Sequence, residues 1–316
     1  MNKINEDNHY DVIVVGSGVC GATIAKGLSR QKKKVLILER GGNTRLRESI
    51  IGYNSVLNEV LVTDTLKEMR AFTTGGSTAL YFALSENPPL EAFEALGVNI
   101  SDEYLEACDE LPLAELPDYL ISPQSNKLRE SAEQLGYDWQ KKKMFIDQTK
   151  CPSGYSYEAK WKARSYVEDA IEDGATLINK ATVLKVIVDD RKAIGVEYKK
   201  YKSVIGYEIC RAYANKIVLA AGSLVSPIIL RDSGIKSVEK NGFYIDPSVG
   251  FVGAVPGLVG KSGFCGCMGT KLDADIDLID GNFSRFLFNV GMLITGKLSR
   301  IFSYPEHVAI VAKVKD

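Results

Sequence analysis

Residues 10 to 29, YDVIVVGSGVCGATIAKGLS, decide the fold. Tyr10 to Val15 form a β-branched apolar run, and Gly16, Gly18 and Gly21 follow at G-x-G-x-x-G spacing. TIAKGLSRQ then places its apolar residues at the intervals of one helix face, and KKVLILERG reads as a second strand. Strand, glycine turn, helix and strand make a βαβ unit, whose parallel pairing needs helices on the sheet faces and puts the chain in the α/β class. Each glycine has a separate task. Gly16 makes the tight turn, Gly18 lets a diphosphate approach the backbone beside Ser17, and Gly21 lets the helix pack close, with the helix N-terminus facing the anion. Glu39 ends the second strand 23 residues after Gly16, where an acid accepts hydrogen bonds from a ribose hydroxyl. The pattern reads as a dinucleotide site and, taken alone, fits NAD or FAD equally.

The rest of the composition narrows the classes. A chain of 316 residues with 45% hydrophobic and 25% charged residues has material for one large domain or two ordinary ones. Lys+Arg 39 against Asp+Glu 40 leaves a net charge of -1, so no basic footprint directs the chain to nucleic acid. The apolar runs 286 to 294 and 249 to 260 fall short of the ~20 residues that span a bilayer, so no transmembrane helix is expected. The polar start, MNKINEDNHY, is unlike a signal segment, and the expected location is cytoplasmic. Six scattered cysteines are expected as free thiols, and with two histidines in all no metal site is expected.

Farther along, residues 86 to 149 turn acidic, proline-punctuated and helical, which reads as an insertion. ARSYVEDAIEDG is a helix stopped at Gly174, and TVLKVIVDDRKAIGVEYKK with IGYEICRAY reads as an antiparallel meander turning at DDRK. Two more segments carry small residues. Phe72 to Thr78, FTTGGST, is a second glycine-rich loop able to meet a phosphate or an isoalloxazine edge, or else a plain surface turn. In KIVLAAGSLVSPIILRDSGI, residues 216 to 235, a buried parallel strand is followed by Ser226 as expected N-cap, Pro227 as N1 and Gly234 as stop. Ala221 and Gly222 there would let a ligand lie against the backbone. The glycine-frequent stretch 249 to 270 is expected as flexible loop, with a partner or lipid contact as the other reading.

With these residues in hand, the chain resembles the glucose-methanol-choline (GMC) family of FAD-dependent oxidoreductases. Gly222-Ser223-x-x-Ser226-Pro227-x-Ile229-Leu230-x-x-Ser233-Gly234-Ile235 is similar to the family's second signature, departing at its final glycine, here Lys236. GGST at 75 to 78 is similar to the first-signature GGSS, and DVIVVGSGVCGATIAKGLS with LILERGG to the N-terminal FAD-binding stretch. The resemblance implies that Gly16, Ser17, Gly18 and Gly21 hold the FAD pyrophosphate, that Glu39, with Arg40 beside it, serves the adenosine ribose, and that Gly75, Gly76 and Ser77 line the flavin side. It also implies that the backbone of Val183 meets adenine and that Ala221 and Gly222 flank the cofactor. Tyr81 stands where the family often has asparagine.

The fold expected is an FAD/NAD(P)-binding Rossmann-like domain with a parallel sheet and antiparallel meander, plus an incomplete α+β substrate domain. Its divisions are 1-85 and 150-240 for the FAD-binding domain, 86-149 for the helical insertion and 241-316 for the partial substrate domain. The chemistry the resemblance implies is oxidation of a small-molecule alcohol with hydride transfer to FAD. Family members continue through a histidine-containing segment that supplies the base, whereas this chain stops at Asp316. His307 reads as structural and His9 as incidental, so no catalytic residue is assigned. Three readings stay open. One is an oxidoreductase completed by a partner chain or a further C-terminal segment, another a non-catalytic flavin-binding or assembly module, and the third a decayed product that keeps no cofactor.

Overall fold

In a computed structural model of the chain, residues 9 to 61, 67 to 202, 206 to 235, 238 and 247 to 314 are described. The elements run β1 (His9–Val15), α1 (Val19–Arg30), β2 (Val35–Leu38), α2 (Ile50–Val56), β3 (Leu57–Leu61) and β4 (Lys67–Ala71). Next come α3 (Leu90–Ala95), α4 (Ser101–Glu110), β5 (Leu113–Glu115), α5 (Pro123–Gln134), β6 (Gln140–Lys141) and β7 (Lys143–Phe145). After these lie α6 (Arg164–Glu172), β8 (Thr176–Ile178), β9 (Ala181–Asp189), β10 (Lys192–Tyr201), β11 (Tyr207–Leu219) and α7 (Val225–Asp232). The last group is β12 (Ser248–Ala254), β13 (Met268–Lys271), β14 (Ile276–Asp280), α8 (Arg285–Ile294) and β15 (His307–Val314). Lys236, where the second signature departs, lies outside the described residues.

Two compact units divide the chain: Met1–Tyr81 with Lys162–Phe243, and Phe82–Trp161 with Tyr244–Asp316. The segment expected as a separate helical insertion therefore shares a unit with the C-terminal strands, because β6 pairs with β13 and α5 packs on β15. Residues 150 to 161 fall in that unit too. Neither grouping is visible in local sequence, since both rest on long-range pairing.

The first unit holds a six-stranded sheet in the order β8-β2-β1-β11-β10-β9. β8, β2, β1 and β11 are parallel, while β11, β10 and β9 form the antiparallel meander, turning at Asp190 and Arg191 with left-handed backbone. β11 belongs to both parts, a single 13-residue strand antiparallel to β10 and parallel to β1. Ile13, Val14, Val35, Leu36, Ile37 and Leu38 are fully buried, and each such side chain contributes about 1.5 to 3 kcal/mol of burial. The end of β11 differs from expectation. Lys216 is exposed and Ile217 to Leu219 are half-buried, so this strand is covered less completely than its β1 neighbour. The α7 start differs as well. Leu224 is the N-cap, and the Ser226 hydroxyl instead accepts the Ala221 N–H at 3.2 Å, tying the small-residue loop to the helix.

The second unit is built on a five-stranded sheet, β12-β15-β14-β13-β6. Ser248–Ala254, expected as flexible loop, is an edge strand paired along its length with β15, and its side chains are exposed. The core gathers Met144, Ile146, Phe264, Met268 and Ile279. At its centre the fully buried Asp280 accepts from Ser125 Oγ at 2.6 Å and from the Met268 N–H at 2.8 Å, with the Cys267 thiol at 3.6 Å. Burial outweighs these hydrogen bonds and raises its pKa to about 6. Between an unfolded value near 4 and that folded value the native state binds more protons, so this group makes stability fall as pH rises. Asp280→Asn keeps the shape and one acceptor oxygen, and its NH2 group can donate to the Ser125 hydroxyl in place of accepting from it. It is expected to remove that fall, a difference on the order of 3 kcal/mol between about pH 4 and pH 7 in urea unfolding. An unchanged pH slope in the variant would refute the assignment.

Candidate functional site

The site belongs to the first unit, at the carboxyl ends of β2, β1 and β11. Parallel pairing aligns Val15 with Leu38 on one side and Leu219 on the other, which brings Gly16, Glu39 and Ala220 to one sheet edge. β1 is the strand at which the connections diverge, the place where open α/β sheets bind ligands.

The three glycines of the first loop differ in what surrounds them. Gly16 has φ +99°, and an added Cβ would collide with the Ala220 carbonyl. A Cβ on Gly21 would collide with the Gly16 carbonyl, so the missing side chain is what lets α1 seat against the strand end. At Gly18 the φ is ordinary and an added Cβ would meet nothing within 4 Å. The protein's own packing accounts for Gly16 and Gly21 but not for Gly18, which faces open space at the start of α1. No side chain caps that helix, and its first-turn N–H groups have no intrahelical acceptor.

The second glycine loop lies directly against the first. Gly75 and Gly76 have φ +90° and +58°, and a Cβ on Gly76 would stand 2.9 Å from the Gly18 Cα. A short 3-10 turn, Gly76–Ala79, follows, with Ser77 exposed and its hydroxyl accepting the Ala71 N–H at 3.3 Å. The two loops are joined through Ser17: the Gly75 N–H donates to Ser17 Oγ at 3.2 Å, and that hydroxyl donates to Glu39 Oε2 at 2.6 Å.

Glu39, 6% exposed, is the hub of this network. Oε2 also accepts the Ser17 N–H at 3.0 Å, and Oε1 accepts the Gly41 N–H at 2.6 Å. A carboxylate offers about four acceptor positions, so after these three donors it retains capacity for one more. Arg40 is exposed, its guanidinium 4.3 Å from the centre of the Phe72 ring.

The third small-residue segment closes the group. Ala220 donates to the Val15 carbonyl at 2.8 Å, and the Cα of Ala221 would lie 3.2 Å from a Cβ on Gly16. Gly222 has φ +88° and open space where a side chain would stand. Val183, 8% exposed on β9, shares a core cluster with Val15, Leu38 and Ala221. The structure thus brings all three side-chain-poor segments together, with Val183 in the core beside them.

Two residues not singled out from the sequence also hold this edge. Gly41 packs on the Phe72 backbone, and Asn179 Nδ2 donates to Thr74 Oγ1 at 2.9 Å and to the Gly41 carbonyl at 3.2 Å. The glycine pair in ERGG was the available signal for Gly41, and Asn179 had none. Tyr81 is half-buried, and burial raises its phenol pKa far above the usual value. His307, in the second unit, is 1% exposed, hydrogen-bonded through Nδ1 to the Tyr304 carbonyl and flanked by Phe288 and Tyr304. Burial lowers its pKa and keeps the ring neutral, as a core residue. Residues 249 to 314 contain no helix long and apolar enough to cross a membrane, nor do the other described residues.

The residues present fit a diphosphate-bearing cofactor: Gly18 and Gly222 leave room for it, and the α1 N-terminus offers first-turn N–H groups that have no intrahelical acceptor. Comparison with known proteins agrees. The chain is 26% identical over 260 residues to the sinalpyl alcohol oxidase Nec3 of Nesocodon mauritianus, covering 74% of this chain and 46% of that protein. It is 27% identical over 265 residues to the long-chain-alcohol oxidase FAO4B of Arabidopsis thaliana, covering 73% and 35%. The chain thus spans half or less of these relatives' length. Among solved structures it superposes on pyridoxine 4-oxidase from Mesorbium loti with a TM-score of 0.69 at 14% identity, covering 96% of this chain and 71% of that one, a likeness of fold. The family model of the GMC oxidoreductases matches residues 10–262, spanning all three glycine-bearing segments, and the chain belongs to the GMC oxidoreductase family.

Proposed function

We propose that the first unit binds FAD and that the protein is an oxidoreductase acting on the CH–OH group of a small-molecule alcohol. The observation that carries this reading is the convergence of Gly16 to Gly21, Gly75 to Ser77 and Ala221-Gly222 on one sheet edge, with Gly18 left open by the protein's own packing. In this reading the N–H groups at the start of α1 hold the pyrophosphate, Glu39 takes a ribose hydroxyl on its remaining acceptor position, and the Val183 backbone meets adenine. Arg40 stands beside Glu39 at the ribose, Gly75, Gly76 and Ser77 line the flavin side, and Ala221 with Gly222 flanks the cofactor. Bound FAD supplies the two-electron acceptor for the oxidation. His307 is committed to the core, so in this reading the proton of the alcohol goes to a base from another segment or a partner chain.

The flavin absorbance of freshly purified protein tests the binding claim. Protein that retains FAD, or takes it up on titration, supports it, and protein that stays colourless after titration overturns it. Anaerobic addition of alcohols then tests the reaction. Bleaching of the bound flavin supports alcohol oxidation, whereas retained colour with every alcohol class would make this chain a flavin-binding module.

A further inference from the structure

The outer face of α8 and of the segment that follows it serves neither the core nor the FAD reading. Inward, Phe288 and Met292 of α8 pack with Tyr304 of the next element, a 3-10 helix over Leu298–Glu306, and Ile301 lies against them. Outward, the same two elements present Leu293, Ile294, Leu298 and Phe302 to solvent, with Ile294 73% and Phe302 89% exposed. Side chains that open stand clear of the surface instead of lining a groove. The corner carrying them is closed by the backbone. Gly296 has φ +70°, its N–H donates to the Leu293 carbonyl at 3.1 Å, and the Lys297 N–H donates to the Met292 carbonyl at 2.8 Å. A second apolar segment adjoins the first. The Gly260 N–H donates to the Pro305 carbonyl at 2.8 Å, and Val259 beside it is 82% exposed.

An exposed apolar patch fits a protein or a membrane, and here the charge chooses. The net charge of -1 is unevenly spread along the chain: residues 281 to 305 contain Arg285, Lys297 and Arg300 but no acidic residue, and residues 248 to 260 contain no charged residue. Lys297 and Arg300 are exposed and form no ion pair among the described residues. The next carboxylate along the chain, Glu306, accepts the Gly257 N–H at 2.9 Å. Protruding apolar tips interleaved with unopposed cations complement a bilayer with anionic headgroups. The tips enter the acyl boundary, while the long cationic side chains lay their stems along it and keep their charge among the headgroups.

We propose that the corner formed by residues 293 to 302, with Val259 beside it, docks the second unit on an anionic lipid surface. Ile294 and Phe302 enter the acyl boundary, and Lys297 and Arg300 meet the headgroup phosphates. The contact lies within one unit and is independent of whether FAD is bound.

Vesicle flotation of the full chain tests this, with phosphatidylglycerol mixed into phosphatidylcholine in one set of vesicles and phosphatidylcholine alone in the other. The expected result is binding to the mixed vesicles at least ~10-fold tighter than to phosphatidylcholine alone, weakening as salt rises. Phe302→Ser and Ile294→Ser each remove one apolar tip and should weaken binding at least ~10-fold. Lys297→Gln combined with Arg300→Gln removes two cations, each contributing about fivefold, for a loss of roughly 25-fold. All four positions are exposed, so circular dichroism melts should be unchanged. If one variant does not fold, the others and the salt dependence still decide. No flotation, equal binding to phosphatidylcholine alone, or unchanged binding in the folded variants would overturn the proposal. So would a chain that stays off the vesicles and scatters light as a dimer, returned to a monomer by Phe302→Ser, because a second copy would then cover the corner.

Discussion

Gly18→Ala is expected to leave the fold intact and abolish FAD retention, while Gly21→Ala, three residues on, is expected to damage the fold itself. The contrast follows from what each missing side chain faces. At Gly18 the backbone has an ordinary φ and an added Cβ meets nothing within 4 Å. The loss of a favoured N-cap residue is partly offset by a stiffer unfolded chain, and the change in stability should stay within about 1 kcal/mol. A bound diphosphate must occupy that same space, so the methyl group excludes it. At Gly21 the Cβ is driven into the Gly16 carbonyl, backbone against backbone, with Val14 Cγ1 at 3.2 Å behind it. Neither side can rotate away, and the cost should reach about 3 kcal/mol or more. Urea unfolding with flavin absorbance on both variants separates the two outcomes. If Gly18→Ala holds FAD as the unaltered protein does, the open space in front of α1 is not the phosphate site.

Glu39→Ala should be the most damaging single change at the site. Its carboxylate receives the Ser17 N–H, the Ser17 hydroxyl and the Gly41 N–H, all in a region sealed from water. Removing it strands these donors, and with hydrogen bonds to a charged group contributing about 1.5 to 3 kcal/mol each, the loss should be at least ~3 kcal/mol. The Gly75 N–H, tied through Ser17, would loosen with them. Glu39→Gln retains one acceptor oxygen and should fall between the two. The measurement is urea unfolding of the apoprotein, where a cost below about 1 kcal/mol would show that Glu39 serves ligand binding alone. A separate FAD titration then reports how much of the binding loss exceeds the loss of fold.

Local chemistry made much of this protein readable. Tyr10 to Gly21 announced the βαβ unit because a fully buried parallel strand needs unbroken apolar residues and its turn needs glycine. DDRK marked the meander turn, and Gly174 and Gly234 stopped their helices through left-handed backbone. The α7 start departs from the local Ser-Pro cap pattern because the Ser226 hydroxyl is drawn back to the Ala221 N–H by the loop it holds. The strand Ser248–Ala254 was hidden because a glycine-rich edge strand has little patterning of its own and is ordered by β15, some 60 residues away.

By itself the sequence determined the α/β class, the three side-chain-poor segments and the family likeness, since these depend on backbone conformations that only particular residues adopt. The tertiary structure alone decided which glycine is spare, that Glu39 knots two loops together, that residues 82 to 161 join the C-terminal strands, and that the Asn282 side chain is buried with no hydrogen-bond partner among the described residues. Those facts concern what stands next to a residue in space, and contacts across 50 or 150 positions leave no local trace in the order of amino acids.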